Sequence, residues 1–300
     1  MKHNVKVTAI LIAMFFIAQL VGIFVSSVYL PETKVVGNET ITEYNLPYGV
    51  EPPQQQTPGI SLLSIIFALI IAVFLLFVLM KFELKIVLRI WFFAVIVLGI
   101  GIAINAFLIK IPNSAIIALA LAIPLAILKV FNRNLIAHNF TELLIYPGIA
   151  SVFIPILDLW TIILLLLFIS AYDIYAVWHA GFMQKMAKYQ IENLKVFSGF
   201  FIPYLSKKDK VKIKATKKSK GKKKVAVNLA VLGGGDIVFP IILAGIVLRT
   251  LGLYQALIIA VGATIALTYL FSVSQKGKFY PAMPYITSGC LIALGIAYLI

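Results

Sequence analysis

Long apolar runs broken by short polar stretches set the plan of this chain. Nine stand out, at about 5–29, 59–80, 84–108, 113–130, 142–157, 159–183, 225–248, 252–273 and 282–300. A helix needs about 20 predominantly apolar residues to cross a hydrocarbon core of roughly 30 Å. The pattern therefore predicts an all-α membrane protein with nine transmembrane helices. The fifth run is short and holds Pro147 and Pro155, so it is the least regular. The first follows a basic N-terminus, as a signal peptide would, but is too long for a signal core. No A-x-A-like site precedes Thr33, so a retained first span is expected. A single membrane domain over 1–300 follows. Spans one to six occupy about 1–184, a hydrophilic loop 185–224, and spans seven to nine 225–300.

Composition agrees with the pattern. Of 300 residues, 62% are hydrophobic and 12% charged, with a mean hydropathy of +1.03. A soluble domain carries about 25% charged residues, so a water-solvated fold is excluded and a multi-pass protein of the cell membrane is expected. Cys290 is the single cysteine and has no disulfide partner in the chain.

The net charge of +15 is informative through its placement. With the N-terminus cytoplasmic and spans alternating, only Lys34, Lys110 and Arg249 fall outside, leaving 23 of the 26 basic residues inside. Basic residues near span ends collect on the cytoplasmic side, so the expected topology is N-terminus cytoplasmic, C-terminus outside. The stretch KKDKVKIKATKKSKGKKK at 207–224 holds 11 lysines and one acid, Asp209. It reads as a solvated loop that meets anionic lipid. It lacks interleaved aromatics for base stacking, which argues against nucleic acid. Residues 185–205 mix charge with Phe, Tyr and Ile, as an interfacial amphipathic segment does.

Two carboxylates lie well inside spans: Asp173 in span six and Asp236 in span seven. Such a charge costs several kcal/mol at mid-bilayer on most scales, so these residues face a cavity and carry function. Asp173 precedes Lys185 by 12 residues and Asp236 follows Lys224 by 12. In continuous helices both would lie roughly 18 Å from a flanking lysine, at one depth on sequential, neighbouring spans. Two carboxylates a few Å apart cannot easily both ionise, so one proton is held between them. The ionised partner can then activate water while the protonated one polarises a carbonyl. Gly233, Gly234 and Gly235 before Asp236 remove side chains, allow close approach of span six and weaken the helix. Tyr172 beside Asp173 either hydrogen-bonds in the cavity or packs between helices.

Alone, the carboxylate pair fits an ion-coupled transporter or channel as well as a protease, since transporters also bury acids beside broken helices. Obvious internal repeats are not visible. There is no H-E-x-x-H for a metalloprotease, and His3, His138 and His179 are scattered. No metal and no cofactor are expected. A serine mechanism lacks both a G-x-S-G element and a histidine partner within the spans.

Three elements in register change that balance. Tyr172-Asp173 on span six, Gly233-Gly234-Gly235-Asp236 on span seven and Pro281-Ala282-Met283-Pro284 opening span nine resemble the YD, GxGD and PAL motifs of presenilins and signal peptide peptidases, the intramembrane aspartyl proteases. The nine runs and the hydrophilic loop between spans six and seven match that family too. Met283 stands where the family usually has leucine, a swap that conserves volume. Gly235 to Val238 with Pro240 looks like signal peptide peptidases. The 281–284 element and the orientation look like presenilins, a mixture that resembles prokaryotic, chiefly archaeal, members. Preflagellin peptidases share a GxGD aspartate, but nine spans and the 281–284 element argue against them. The resemblance implies that Asp173 and Asp236 are the catalytic pair. It also implies that 281–284 shapes the site, that transmembrane peptides are substrates and that accessory subunits are not required. Prolines 281 and 284 free backbone groups. With an extended Val225–Val227, such groups would pair with an unwound substrate by strand addition.

Overall fold

A computed structural model describes residues 5–36, 39–50, 58–82, 84–132, 134–180, 198–204, 228–275 and 280–300. The Lys-rich stretch 207–224, most of 185–205 and Val225–Val227 lie outside the described residues. Among the described residues are nine α-helices, one for each apolar run. They are α1 (Val5–Val28), α2 (Pro58–Lys81), α3 (Lys85–Leu108), α4 (Ser114–Phe131), α5 (Leu135–Phe153), α6 (Leu159–Tyr175), α7 (Gly234–Thr250), α8 (Leu253–Val273) and α9 (Met283–Leu299). Five stretches are long and apolar enough to cross a membrane: α1, α3, α4, α6 with its C-terminal extension, and α8.

The protein is mostly helical rather than all-α. Two antiparallel ribbons interrupt the helices: β1 (Glu32–Val36) with β2 (Glu39–Glu43), and β3 (Gly199–Tyr204) with β4 (Asn228–Gly233). The second ribbon corrects two expectations. Residues 199–204 form a strand where an amphipathic surface segment was expected. Span seven is helical only from Gly234, because 228–233 pair in register with 199–204. Three consecutive glycines disfavour helix by up to about 1 kcal/mol each, so the chain stays extended until the last of its strand pairs is made.

Span five also starts earlier than its apolar run, at Leu135. The Asn134 carboxamide accepts the Ile136 and Ala137 amides and caps the helix. The sequence places Asp158 between spans five and six, and there it caps α6 by accepting the Thr161 amide at 2.6 Å. Arg249 at the end of α7 donates to the carbonyls of Ile154 and Leu157 and to the Tyr44 hydroxyl. It thereby satisfies carbonyls freed where α5 stops.

At the centre stands α7, in contact with α1, α5, α6, α8 and α9. Every residue from Pro240 to Leu248 is buried, as expected of a helix apolar on all sides. Small residues allow the tightest crossings. A Cβ on Gly262 of α8 would lie 2.8 Å from the Gly289 carbonyl of α9. A Cβ on Gly148 of α5 would run into the backbone of Gly99 on α3. Gly148→Ala must therefore push α3 and α5 apart. We expect it to lower stability by about 1–3 kcal/mol, read as a lower midpoint in thermal unfolding of the purified protein.

Candidate active site

Asp173 lies in the last turn of α6, just before a π-helical turn at Ala176–Ala180. It is 6% exposed. Its Oδ2 accepts the Met283 amide at 3.1 Å, and the Ala282 amide also faces it. These are the first amides of α9, whose helix-interior acceptors do not exist. Pro284 sits in the first turn of α9, where its missing N–H costs nothing. A helix N-terminus is a ready site for a carboxylate, and α9 presents one to Asp173.

One turn back along α6 and one turn on along α9, the buried Ser170 and Thr287 hydroxyls are hydrogen-bonded to each other at 2.8 Å. This bond pins α9 to α6 at the level where the Met283 amide must meet Asp173.

Asp236 occupies the first turn of α7, whose N-cap is Gly233. Its carboxylate turns back onto the Gly233 amide, which is half of a capping box. A Cβ on Gly233 would lie 3.1 Å from Asp236 Oδ2. Asp173 is the charged side chain that acts on Asp236. Both carboxylates thus sit against the amino end of a helix, one across a tertiary contact and one within its own helix.

The flanking lysines do not place the two aspartates at one depth. Residues 228–233 are extended, and a strand advances about 3.3 Å per residue against 1.5 Å for a helix. The glycines also serve differently from the expectation. A Cβ on Gly234 would crowd Ser198 and, at 2.9 Å, the Tyr146 ring, so α5 and the start of β3 approach there rather than α6. At Gly235 the nearest atom would be 3.9 Å away, in ordinary contact with Phe239. Tyr172, at 39% exposure, is open to the surroundings rather than packed between helices. Pro281 and Met283 are buried, and Ala282 and Pro284 partly so.

Several polar residues near this site went unread in the sequence. Gln19 of α1 is fully buried and donates to the Ile237 carbonyl at 3.2 Å. Lys129, expected as a loop charge, is buried in an ion pair with Glu142. Tyr146 is buried beside Glu142 and Ser198, within reach of the field of Asp236. A lone amide in an apolar run at Gln19 was a signal. So was the His138–Glu142 pair at helical spacing, at the head of span five. No cluster of His, Cys, Asp or Glu able to hold a metal occurs among the described residues.

Asp173 and Asp236 come from α6 and α7, two helices in contact, and a GGGD turn delivers the second. The family profile described as signal-peptide peptidase, presenilin aspartyl protease matches residues 12–300, and the chain belongs to that family. It is a multi-pass membrane protease, a hydrolase of the aspartyl class. Two solved structures of a presenilin family intramembrane aspartate protease share the fold. The form in space group C222 has a TM-score of 0.57 at 17% identity, covering 97% of each chain. The P2 form has a TM-score of 0.59 at 16% identity, covering 96% of each chain. No curated protein matches the sequence.

Proposed function

We propose that Asp173 and Asp236 together hydrolyse peptide bonds of transmembrane helical substrates with an activated water. What supports this reading is that the two carboxylates come from helices in contact, the charge of Asp173 acts on Asp236, and backbone amides steady each of them. One proton shared by the pair leaves one carboxylate to take a proton from water and one acid to donate toward the scissile carbonyl. The water oxygen bonds to the carbonyl carbon, and collapse of the tetrahedral intermediate expels the amine, which takes up a proton. The titration belongs to the pair, so base and acid are not assigned to one residue each.

A helical substrate hides its carbonyls in its own hydrogen bonds and must unwind to be cut. Strand addition supports that step. Gly199 and Phe201 turn their backbone groups toward α5, whereas the Ser198 carbonyl accepts from Gly234. Alternate residues of a strand use opposite edges. By the register, Phe200, Ile202 and Tyr204 therefore bond β4 through Leu232, Ala230 and Asn228. Among the described residues the edge of the ribbon left for pairing is then Leu229 and Val231 of β4, just before Gly233, whose amide Asp236 holds. Val231→Pro removes one edge amide and should lower cleavage about 10-fold or more, scored with a purified single-span substrate. Full activity in that variant would remove strand addition from the mechanism.

The distribution of lysines supports a cytoplasmic N-terminus and cleavage near the cytoplasmic side. It supports anionic lipid, too, as a partner of 207–224. The reading needs no cofactor and no accessory subunit. Its direct test is purified protein mixed with a single-span peptide. Cleavage products are expected; intact substrate together with carboxylate-dependent ion flux would instead restore the transporter reading.

A further inference from the structure

The polar row on α5 plays no part in the chemistry above, yet it holds β3, the strand paired with the one that leads to Asp236. Asn139 Nδ2 donates to the Phe201 carbonyl at 2.7 Å, and its Oδ1 accepts the Phe201 amide at 2.9 Å. One side-chain amide therefore makes both bonds that a neighbouring strand would make at that residue. Two residues away on the same edge, Glu142 Oε1 accepts the Gly199 amide at 3.2 Å. His138 Nε2 donates to the Gly199 carbonyl at 2.9 Å. That tautomer leaves Nδ1 to accept from Lys129 Nζ, 3.5 Å away. Lys129 also pairs with Glu142, and the two side chains are 2% and 0% exposed.

An isolated two-stranded hairpin is marginally stable at best. Here α5 supplies what a third strand would. The far edge of β3 is closed, as native proteins close edges against stray pairing. From β3 the path to the site is short, since the Ser198 carbonyl holds the Gly234 amide at 3.3 Å, two residues before Asp236.

We infer that Asn139 and Glu142, with His138 and the Lys129 counter-charge, anchor the β3–β4 ribbon to α5 and thereby set the position of Asp236. Asn139 and Glu142 are positioning residues for the paired-aspartate reaction, and the inference rests on that reading. Their effect is felt in the turnover step, because a displacement of about 1 Å at a reacting group can cost 10²-fold. Closing the β3 edge also leaves the β4 edge, the one beside Asp236, as the place where an extended peptide can add.

The test uses the full chain, purified, as wild type, Asn139→Ala, Glu142→Ala and Glu142→Gln. Cleavage of a single-span substrate gives kcat and KM, and amide hydrogen exchange is followed across 198–204, 228–236 and α8. Asn139→Ala and Glu142→Ala should lower kcat about 10- to 100-fold, with KM changed less than about 3-fold. Glu142→Gln keeps an oxygen for the Gly199 amide and should retain more kcat than Glu142→Ala. Exchange should quicken in 198–204 and 228–236 and stay unchanged in α8. Wild-type kcat in both alanine variants would overturn the anchor, as would faster exchange throughout the bundle, which marks a general loss of stability. Should Glu142→Ala not fold, the half-buried Asn139 decides by itself. If wild-type protein cleaves nothing, the protease reading fails, and the exchange pattern of Asn139→Ala still upholds or overturns the anchor.

Discussion

Asp173→Ala and Asp236→Ala should each reduce intramembrane cleavage at least ~1000-fold while the protein remains folded. General acid and general base contributions are each worth about 10²–10⁴, and residues acting as a unit lose nearly everything when either is removed. The double variant should accordingly be no slower than the worse single one. Asp173→Asn sharpens the result. Its amide oxygen can still accept the Met283 and Ala282 amides that face Asp173, so the α6–α9 contact persists while the proton-sharing pair is gone. Loss of cleavage in this variant, with unchanged thermal unfolding, assigns the defect to chemistry. Measurable turnover in Asp173→Asn or Asp236→Ala would remove the pair from the mechanism.

Lys129→Met should be the most damaging single change away from the two aspartates. It leaves Glu142 buried without its counter-charge, and breaking one side of a buried ion pair costs about 3–5 kcal/mol. Methionine nearly preserves the volume, so lost packing contributes little. The control is Lys129→Met with Glu142→Gln, which removes both charges and keeps an acceptor for the Gly199 amide. That double variant should recover most of the stability in denaturant or thermal unfolding. Equal instability of single and double variants would mean that the pair matters through shape and not through charge.

Much of this molecule was legible in its pattern of apolar runs. Each run became a helix, because hydrocarbon leaves a single chain no other way to satisfy its backbone within one segment. Asp173, Asp236 and the 281–284 element stand out in the sequence, since ionisable residues and prolines are conspicuous in apolar runs, and the structure brings Asp173 to the Met283 amide. What the pattern hid was the β3–β4 ribbon. Residues 228–231, NLAV, are apolar and β-compatible, but a buried strand and a helix segment look alike over such a length. Only the register with 199–204 distinguishes them, and that pairing spans a long hydrophilic stretch. Lys129 and Glu142 were hidden for another reason. Each stands at the edge of an apolar run, where charge is expected, and only tertiary packing brings them into one buried pair. Tyr146 and Ser198 belong to the same class, ordinary residues made important by what folds against them.

The bond from Gln19 to the Ile237 carbonyl bears on how the site is assembled. Pro240 has no N–H to offer the carbonyl of Asp236, so α7 is loosened in the very turn that carries the carboxylate. One residue on, the partner that steadies the helix comes from α1, 218 positions earlier in the chain. α1 therefore waits for α7 before its buried amide has this partner. A chain still short of α7 lacks both Asp236 and the carbonyl that the buried Gln19 amide needs.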